Sequence, residues 1–264
     1  SKSILKDMTK KNLIVEELVK KQAYSNLKVP NYNKIKFEIN KLLNSEQKNA
    51  VEKINVSIKK KKPDCFLLDG VPGSGKTETY FQTVKTCLDE GKQILILLPE
   101  ISLTPDWEKR FYQSFSFAPL VWHSGITKTK KKQIWLSALN SSAGVIVGAR
   151  SALMLPIQNL GLIIVDEEHD PAFKQEEGVR YNARDMAIYK AIRSSVPIVL
   201  ASATPSLETY HNMKIGKYIH LTLPKRATGA ALPDIKLIDL KTNTPERGKC
   251  CLLYTSDAAD DYRS

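Results

Sequence analysis

The glycine-rich segment from Gly70 to Thr77 constrains the fold of this chain more than any other feature. It matches the pattern G-x-x-x-x-G-K-[ST] at every fixed position, and it lies between the apolar run Cys65 to Leu68 and an amphipathic stretch. Glycines let such a loop curl until successive N–H groups point inward, and the N-terminus of the following helix adds positive potential. The segment therefore predicts a phosphate-binding loop inside an α/β sheet. The expected nucleotide-binding residues in it are Gly70, Gly73, Ser74, Gly75, Lys76 and Thr77.

A second motif follows about ninety residues later, where the apolar run Leu162 to Val165 ends in Asp166-Glu167-Glu168-His169. Alone, an apolar run ending in acids is more often a strand that meets a solvated loop. Paired with a phosphate loop, Asp166 is expected to hold Mg²⁺ together with the Thr77 hydroxyl, and Glu167 to orient and deprotonate the attacking water. Lys76 is expected to reach the β and γ phosphates. The two motifs together predict hydrolysis of a nucleoside triphosphate.

Short apolar runs separated by helix-like segments give the fold class. They are apolar throughout, which is typical of strands covered on both faces, so we predict an α/β fold with a mainly parallel sheet flanked by helices. The segment Thr77 to Glu90 is the clearest helix, with an apolar stripe and Gly91 at the position of a C-terminal cap. The predicted strands are Cys65 to Leu68, Ile94 to Leu98, Val145 to Val147, Leu162 to Val165 and Ile198 to Ala201.

Charge is concentrated near the N-terminus of this basic chain, whose formal charge is +12. Residues 1–62 contain 16 lysines and six acidic residues. Such an excess favours a polyanionic partner, although a solubilising surface explains it equally well. No apolar stretch reaches the length of a membrane span, so we expect no membrane partner. The four cysteines have no paired spacing, which argues against zinc in this chain and for a reducing cytosol.

Three further segments distinguish motor proteins from other nucleotidases. Asp166 to His169 has the form of a D-E-x-H box, and Ser202-Ala203-Thr204 follows a later apolar strand. Gln47 precedes the phosphate loop at the place where superfamily 2 motors read adenine. Each signal is weak alone, but their order along the chain indicates a superfamily 2 helicase lobe. We expect His169, Ser202 and Thr204 to relay hydrolysis rather than to perform chemistry.

Several longer stretches resemble the primosomal protein N′ family of replication-restart helicases over residues 40–240. The resemblance is carried by Asp69 to Thr79, Pro99 to Pro105, His123 to Gly125, Val147 to Ala152, Asp166 to Asp170, Gln175 to Asp185, Ser202 to Glu208 and Leu232 to Leu240. It implies that residues 41–240 form a RecA-like ATP-binding lobe. It further implies that residues 1–40, which are predicted to be helical, are the end of a winged-helix-like DNA-binding domain with its linker.

The resemblance also implies a function. It predicts an ATP- and Mg²⁺-dependent helicase that moves 3′ to 5′ on single-stranded DNA, acts at forked DNA, loads other primosome proteins and works in the bacterial cytoplasm at the nucleoid. Ser102, Thr104, Arg150 and Ser151 are expected to line the DNA path, because hydroxyls and a guanidinium suit phosphate contacts. Loop capping is the alternative explanation for these residues.

The loop from Pro171 to Arg184 resembles an aromatic-rich loop that couples DNA contact to ATP turnover. Phe173 and Tyr181 are expected to stack on unpaired bases, with Lys174 and Arg184 holding phosphate. Alternatively, Phe173 and Tyr181 pack beneath the loop.

Complete members of the family contain parts that this sequence does not show, namely a second motor lobe with a zinc-binding cysteine cluster and an arginine finger. Loss of such a finger costs about 10³ to 10⁵ in rate, so we expect this polypeptide to bind ATP but to hydrolyse it poorly. Residues 241–264 read as a linker and an anomalous tail. From residue 249 onward the tail fits nothing before it, and we interpret it as artefactual or disordered and assign it no function.

Two other hypotheses compete with a helicase fragment. One is a stand-alone module that binds nucleotide and DNA without productive turnover. The other is a different superfamily 2 translocase, such as a restriction translocase or an RNA helicase, against which the family-specific stretches argue. A transporter ATPase is disfavoured because the sequence has no L-S-G-G-Q signature.

Overall fold

A computed structural model describes residues 43–99 and 105–227 of the 264-residue chain. The predicted segment 1–40, the tail from residue 241, and Ser102 and Thr104 lie outside these residues. Strands and helices alternate through most of the described part. The helices are α1 (Ser45–Lys60), α2 (Lys76–Asp89), α3 (Pro105–Phe115), α4 (Lys128–Leu139), α5 (Ala183–Ser194) and α6 (Leu207–Lys214). The strands are β1 (Cys65–Gly70), β2 (Gln93–Leu97), β3 (Leu120–Trp122), β4 (Val145–Gly148), β5 (Leu160–Asp166), β6 (Lys174–Gln175), β7 (Tyr181–Asn182), β8 (Ile198–Ser202) and β9 (Ile219–Leu223).

Seven of the strands form one sheet in the order β3-β4-β2-β5-β8-β1-β9, and every neighbouring pair in it is parallel. The prediction of a mainly parallel sheet flanked by helices is therefore confirmed. All five predicted strands are present. The edge strands β3 and β9 were not predicted, because β3 has only three residues and the first two residues of β9 are exposed, so neither forms a long apolar run.

Side chains of the central strands alternate between two buried clusters, one on each face of the sheet. On β2, Ile94 and Ile96 face the cluster that includes α1, α2 and α3, whereas Leu95 and Leu97 face the one that includes α4 and α5. Since both faces are covered, the central strands are apolar along most of their length. Among the described residues, no helix is both long and apolar enough to cross a membrane.

Helix ends follow the local sequence. Asn44 caps α1 in a reciprocal capping box with Gln47, and the basic residues Lys59 and Lys60 occupy its last turn. Helix α2 begins and ends one residue earlier than predicted, at Lys76 and Asp89. Gly91 then takes the left-handed conformation (φ +65°), with backbone bonds from residues 91 and 92 to the last turn of the helix.

Helix α3 is held to the sheet by a cluster of aromatic rings. The ring of Phe111 stacks on Phe115 at a centroid distance of 4.5 Å and on Trp107 at 5.5 Å, and it meets the edge of Phe81 at 5.5 Å. All four side chains are buried. The cluster fixes the position of α3 against α2, which carries the phosphate loop at its N-terminus.

We predict that Phe111→Ala lowers the free energy of unfolding by about 3 to 5 kcal/mol, because it leaves a cavity within the aromatic cluster. Tyr112→Ala removes the neighbouring but exposed ring of α3 and is expected to change that free energy by no more than about 0.5 kcal/mol. Urea unfolding of both variants measures the difference. Equal losses would show that the cluster does not anchor the helix.

Candidate active site

The phosphate loop lies between the carboxyl end of β1 and the first turn of α2. Gly73 and Gly75 adopt left-handed backbone conformations, with φ of +78° and +82°, that side-chain-bearing residues rarely adopt. A Cβ atom on Gly75 would also collide with the side-chain amide nitrogen of Gln47. Glycine is therefore required at position 75 for both its backbone conformation and its lack of a side chain.

Gln47 lies behind this loop rather than beside an open pocket. Its Nε2 donates to the backbone oxygen of Ser74 at 2.8 Å, and its Oε1 accepts from the backbone N–H of Asn44 at 2.9 Å. The residue is only 3% exposed. The expected adenine-reading role is not supported by this geometry, because both ends of the amide are used in bonding α1 to the phosphate loop.

The loop presents a cation and an unpaired hydroxyl at its centre. Lys76 Nζ donates to the backbone oxygen of Gly70 at 2.9 Å, and the side chain lies largely buried under the loop. Ser74 Oγ is buried and has no hydrogen-bond partner among the described residues. The Lys76 cation and the backbone N–H groups of the loop, which border the same cleft, suit an oxyanion such as a phosphate.

A cleft of about 830 Å³ opens over the loop and brings together most of the residues predicted to bind nucleotide, to catalyse hydrolysis or to relay it. Besides the loop, its walls come from the ends of β5 and β8 and from one side of α3. Ser202 lies behind the wall, where its hydroxyl is 2.8 Å from His169 Nδ1 and accepts the backbone N–H of Thr204. The predicted residues that line the cleft are Gly73, Ser74, Gly75, Lys76, Thr77, Asp166, Glu167, His169 and Thr204.

Asp166 is a buried carboxylate at the carboxyl end of β5. Its Oδ2 accepts the Tyr80 hydroxyl at 2.9 Å, and its Oδ1 accepts the backbone N–H of Glu167 at 3.1 Å. Burial raises the pKa of Asp166 from its ordinary value of 3.8 to about 6, against the opposing effect of the Tyr80 bond. A desolvated carboxylate near the loop, with the Thr77 hydroxyl in the same cleft, matches the oxygen ligands that Mg²⁺ prefers.

Tyr80 was not predicted as a site residue. It lies one turn after Lys76 on the buried face of α2, where the sequence suggests only core packing. Burial and the neighbouring Asp166 raise the pKa of its hydroxyl well above 10, so it acts as a hydrogen-bond donor. The sequence contained one indication of this role, a tyrosine within an otherwise apolar helix face, because a buried hydroxyl needs a hydrogen-bond partner.

Glu167 projects into the cleft from a left-handed backbone position with φ of +49°. Such conformations in residues with a side chain are uncommon and concentrate at functional sites. Its carboxylate is partly exposed and lies 3.6 Å from His169 Nδ1. This placement is compatible with the predicted role of Glu167 toward an attacking water.

The structure contradicts the predicted role of Arg184 as a DNA contact. It is 7% exposed and donates to Glu168 Oε2 at 3.1 Å. Glu168 also accepts the backbone N–H of Ser206 at 2.7 Å and the Thr209 hydroxyl at 2.9 Å. A buried charge must be paired and fully hydrogen-bonded, and Arg184 supplies the counter-charge here. Glu168 therefore joins the end of β5 to α5 and α6, a role that the sequence analysis missed.

Phe173 is also unavailable for base stacking, since it is 1% exposed and belongs to the core under α5. The alternative, that this ring packs beneath the loop, is correct, because the short helical turn from Pro171 directs it inward. Tyr181 is partly buried against the same core. Lys174 is exposed, and its backbone oxygen accepts a guanidinium N–H of Arg150 at 2.5 Å.

Ser151 lies beside these residues, where its hydroxyl accepts the Trp122 indole N–H at 3.1 Å. Lys174 and Tyr181 belong to the small β6–β7 hairpin, which Arg150 contacts, and none of the four residues lines the cleft. Their expected contacts with DNA stay a prediction.

The fold and the cleft define a parallel α/β lobe with a phosphate-binding loop, and comparison with known proteins identifies its family. The DEAD/DEAH box helicase family model matches residues 44–213, which is more than half of the chain. The chain therefore belongs to the DEAD/DEAH box helicase family.

Its curated relatives include replication restart proteins named PriA. The chain is 48% identical over 198 residues to the protein from Rickettsia conorii, covering 75% of this chain and 30% of that protein. It is 42% identical over 199 residues to the protein from Bacillus subtilis, covering 75% of this chain and 25% of that protein. The resemblance to replication-restart helicases is confirmed, and the chain spans less than a third of the length of these relatives.

Solved structures share the fold. RecG bound to a three-way DNA junction superposes with a TM-score of 0.52 at 24% sequence identity, over 72% of this chain and 26% of that one. The helicase MrfA bound to DNA and AMPPNP gives a TM-score of 0.50 at 14% identity, over 70% of this chain and 27% of that one. At these identities the likeness extends to the fold alone.

The raised pKa of Asp166 predicts a pH-dependent gain in stability for Asp166→Asn in metal-free buffer. Because the folded-state pKa of about 6 exceeds the ordinary 3.8, the folded chain binds this proton more tightly than the unfolded chain. The wild-type protein therefore loses stability as pH rises from about 4 to about 6, and the loss then levels off at roughly 3 kcal/mol or less. Asparagine does not titrate, so the difference in favour of the variant grows over that window.

Urea unfolding with EDTA at several pH values measures this difference. Asp106→Asn, which removes an exposed carboxylate from α3, reports the general effect of removing one negative charge. A pH-independent difference between Asp166→Asn and the wild type would contradict the prediction.

Proposed function

We propose that the chain is the ATP-binding first motor lobe of a Mg²⁺-dependent DNA helicase that restarts replication and moves 3′ to 5′ on single-stranded DNA. The observation that carries the proposal is the single cleft in which the phosphate loop meets Asp166 and Glu167. The identity to PriA proteins supports replication restart as the process. Forked DNA and other primosome proteins as partners, and a bacterial cytoplasmic location, belong to the same proposal.

In the cleft each residue has a definable task. The N–H groups of the loop and Lys76 bind the β and γ phosphates, since both are donors that point toward an anion. Thr77 and Asp166 would hold Mg²⁺, which when bound neutralises charge on the phosphates. Glu167 orients the attacking water and accepts its proton.

His169 and the segment after β8 form the proposed route by which hydrolysis is sensed. The His169 ring contacts Ser202 Oγ at 2.8 Å, and Ser202 also accepts the backbone N–H of Thr204, which borders the cleft. A change at the γ phosphate therefore reaches the start of α6 through a short series of bonded groups. Glu168 and Arg184 keep that part of the lobe fixed from behind.

A strongly basic stretch of the lobe supports DNA binding. Residues 109–165 contain no acidic residue and seven basic ones. Four of these lie at the beginning of α4, immediately after the carboxyl end of β3. Arg150 and Ser151 follow the carboxyl end of the neighbouring β4, so both groups lie at the same edge of the sheet. Exposed cations at one edge attract the phosphate backbone without reading sequence. The seven are Lys109, Arg110, Lys128, Lys130, Lys131, Lys132 and Arg150.

Nucleotide binding is tested with Lys76→Ala and a fluorescent ATP analogue in the presence of Mg²⁺. Loss of a charge-assisted phosphate contact is expected to weaken binding roughly 10- to 100-fold. Lys85→Ala removes a cation from the same helix but at an exposed position paired with Asp89, and its affinity is expected to equal that of the wild type. If both variants bind as tightly as the wild type, the cleft is not the nucleotide site.

DNA binding is tested by the salt dependence of affinity for a short single-stranded oligonucleotide. Replacing the exposed Lys128, Lys130 and Lys132 by alanine is expected to reduce the slope of log K against log salt by about 0.7 for each lysine that contacts phosphate. The matched control replaces Lys59, Lys60 and Lys62, which are equally exposed but precede β1 at the opposite edge of the sheet. Equal reductions in the two triple variants would mean that DNA follows net charge and not this edge.

A further inference from the structure

A buried series of hydrogen bonds leads from α3 through α2 to the end of β5. The Trp107 indole Nε1 donates to the Tyr80 hydroxyl at 3.2 Å, and that hydroxyl donates to Asp166 Oδ2 at 2.9 Å. Tyr80 is fully buried and the other two residues nearly so. Three elements that are distant in sequence thus meet at one carboxylate.

Packing does not explain the Tyr80 hydroxyl. The Tyr80 ring contacts the edge of Phe81 at 5.3 Å within the aromatic cluster, where a phenylalanine would bury the same surface without a polar atom. Burying a hydroxyl has a cost that a single hydrogen bond barely offsets. Among the described residues, Asp166 is the only acidic group that this hydroxyl contacts, so its hydrogen bond acts on that carboxylate.

The direction of the bonds is determined by chemistry. An indole N–H can only donate, so the Tyr80 oxygen accepts from Trp107 and its single proton is left to point at Asp166. Trp107 is itself held by its stacking on Phe111 at 5.5 Å and by the edge of Phe81 at 5.7 Å. The Asp166 carboxylate is thereby bonded at both oxygens, by Tyr80 at Oδ2 and by the backbone N–H of Glu167 at Oδ1.

We propose that Tyr80 is a positioning residue that orients the Asp166 carboxylate for Mg²⁺, and that Trp107 acts through Tyr80 by fixing the direction of its hydroxyl. The inference rests on the proposed nucleotide-binding function and adds two residues to it. Groups that hydrogen-bond a metal-binding carboxylate set its orientation, and their loss typically costs 10- to 100-fold in metal affinity or activity.

The test measures the Mg²⁺ concentration that half-saturates binding of a fluorescent, non-hydrolysable ATP analogue to the 264-residue chain. Tyr80→Phe keeps the ring and removes only the hydroxyl. We expect the half-saturating Mg²⁺ concentration to rise about tenfold, whereas the affinity for the analogue in EDTA stays within twofold of the wild type. A residue that acts only on packing would weaken binding equally with and without Mg²⁺.

Trp107→Phe keeps an aromatic ring in the cluster and removes the indole N–H. It is expected to raise the half-saturating Mg²⁺ concentration by a smaller factor, about threefold, and to add nothing in the Tyr80→Phe background, because it acts through that hydroxyl. Tyr112→Phe removes an exposed hydroxyl from the same helix and is the matched control, with no change expected.

The proposal is overturned if Tyr80→Phe leaves the half-saturating Mg²⁺ concentration unchanged, or if affinity in EDTA falls as much as affinity with Mg²⁺. If the two substitutions together raise the half-saturating Mg²⁺ concentration by the product of their separate factors, Trp107 does not act through Tyr80. Thermal melting in EDTA checks that each variant is folded, and Trp107→Phe carries the test if Tyr80→Phe is not. A wild-type chain that binds no nucleotide would instead refute the proposed function.

Discussion

Parallel pairing of β5, β8 and β1 is the constraint on which the rest of the lobe depends. Register places Asp166 beside Ala201 and Asp69 beside Ser202, so the phosphate loop, the acidic box and the segment after β8 all begin at one edge of the sheet. Because these strands are buried on both faces, a slip in register would disturb two packed layers at once. The position of the cleft is therefore determined by backbone pairing between these strands, and the side chains determine only its chemistry.

Around that edge, some polar groups face the cleft and others lie behind it. Those that face the cleft, such as Lys76 and Glu167, remain accessible to a ligand. Those behind it are bonded within the protein, as the four donors around Glu168 show. Buried carboxylates are tolerated only when bonded in this way, and the same bonds limit how far the cleft residues can move.

Local sequence was sufficient for the elements and motifs whose signal is contained within a short segment. The five apolar strands, helix α2 with Gly91 after it, and the phosphate loop were all predicted, because strand burial, capping and loop curvature are properties of neighbouring residues. The short edge strands β3 and β9 were missed for the same reason, since neither has the run of apolar residues that marks a central strand.

The sequence by itself determined that a phosphate loop and an acidic box occur in one parallel α/β lobe, because both are contiguous patterns with a fixed strand and helix context. Only the tertiary structure decided how individual polar side chains are used. Phe173 and Arg184 are buried, and Gln47 donates a hydrogen bond to the phosphate loop. The Tyr80 hydroxyl donates to Asp166, which lies 86 positions away in the sequence. A side chain's partner depends on which elements the fold brings within hydrogen-bonding distance, and no local pattern carries that information.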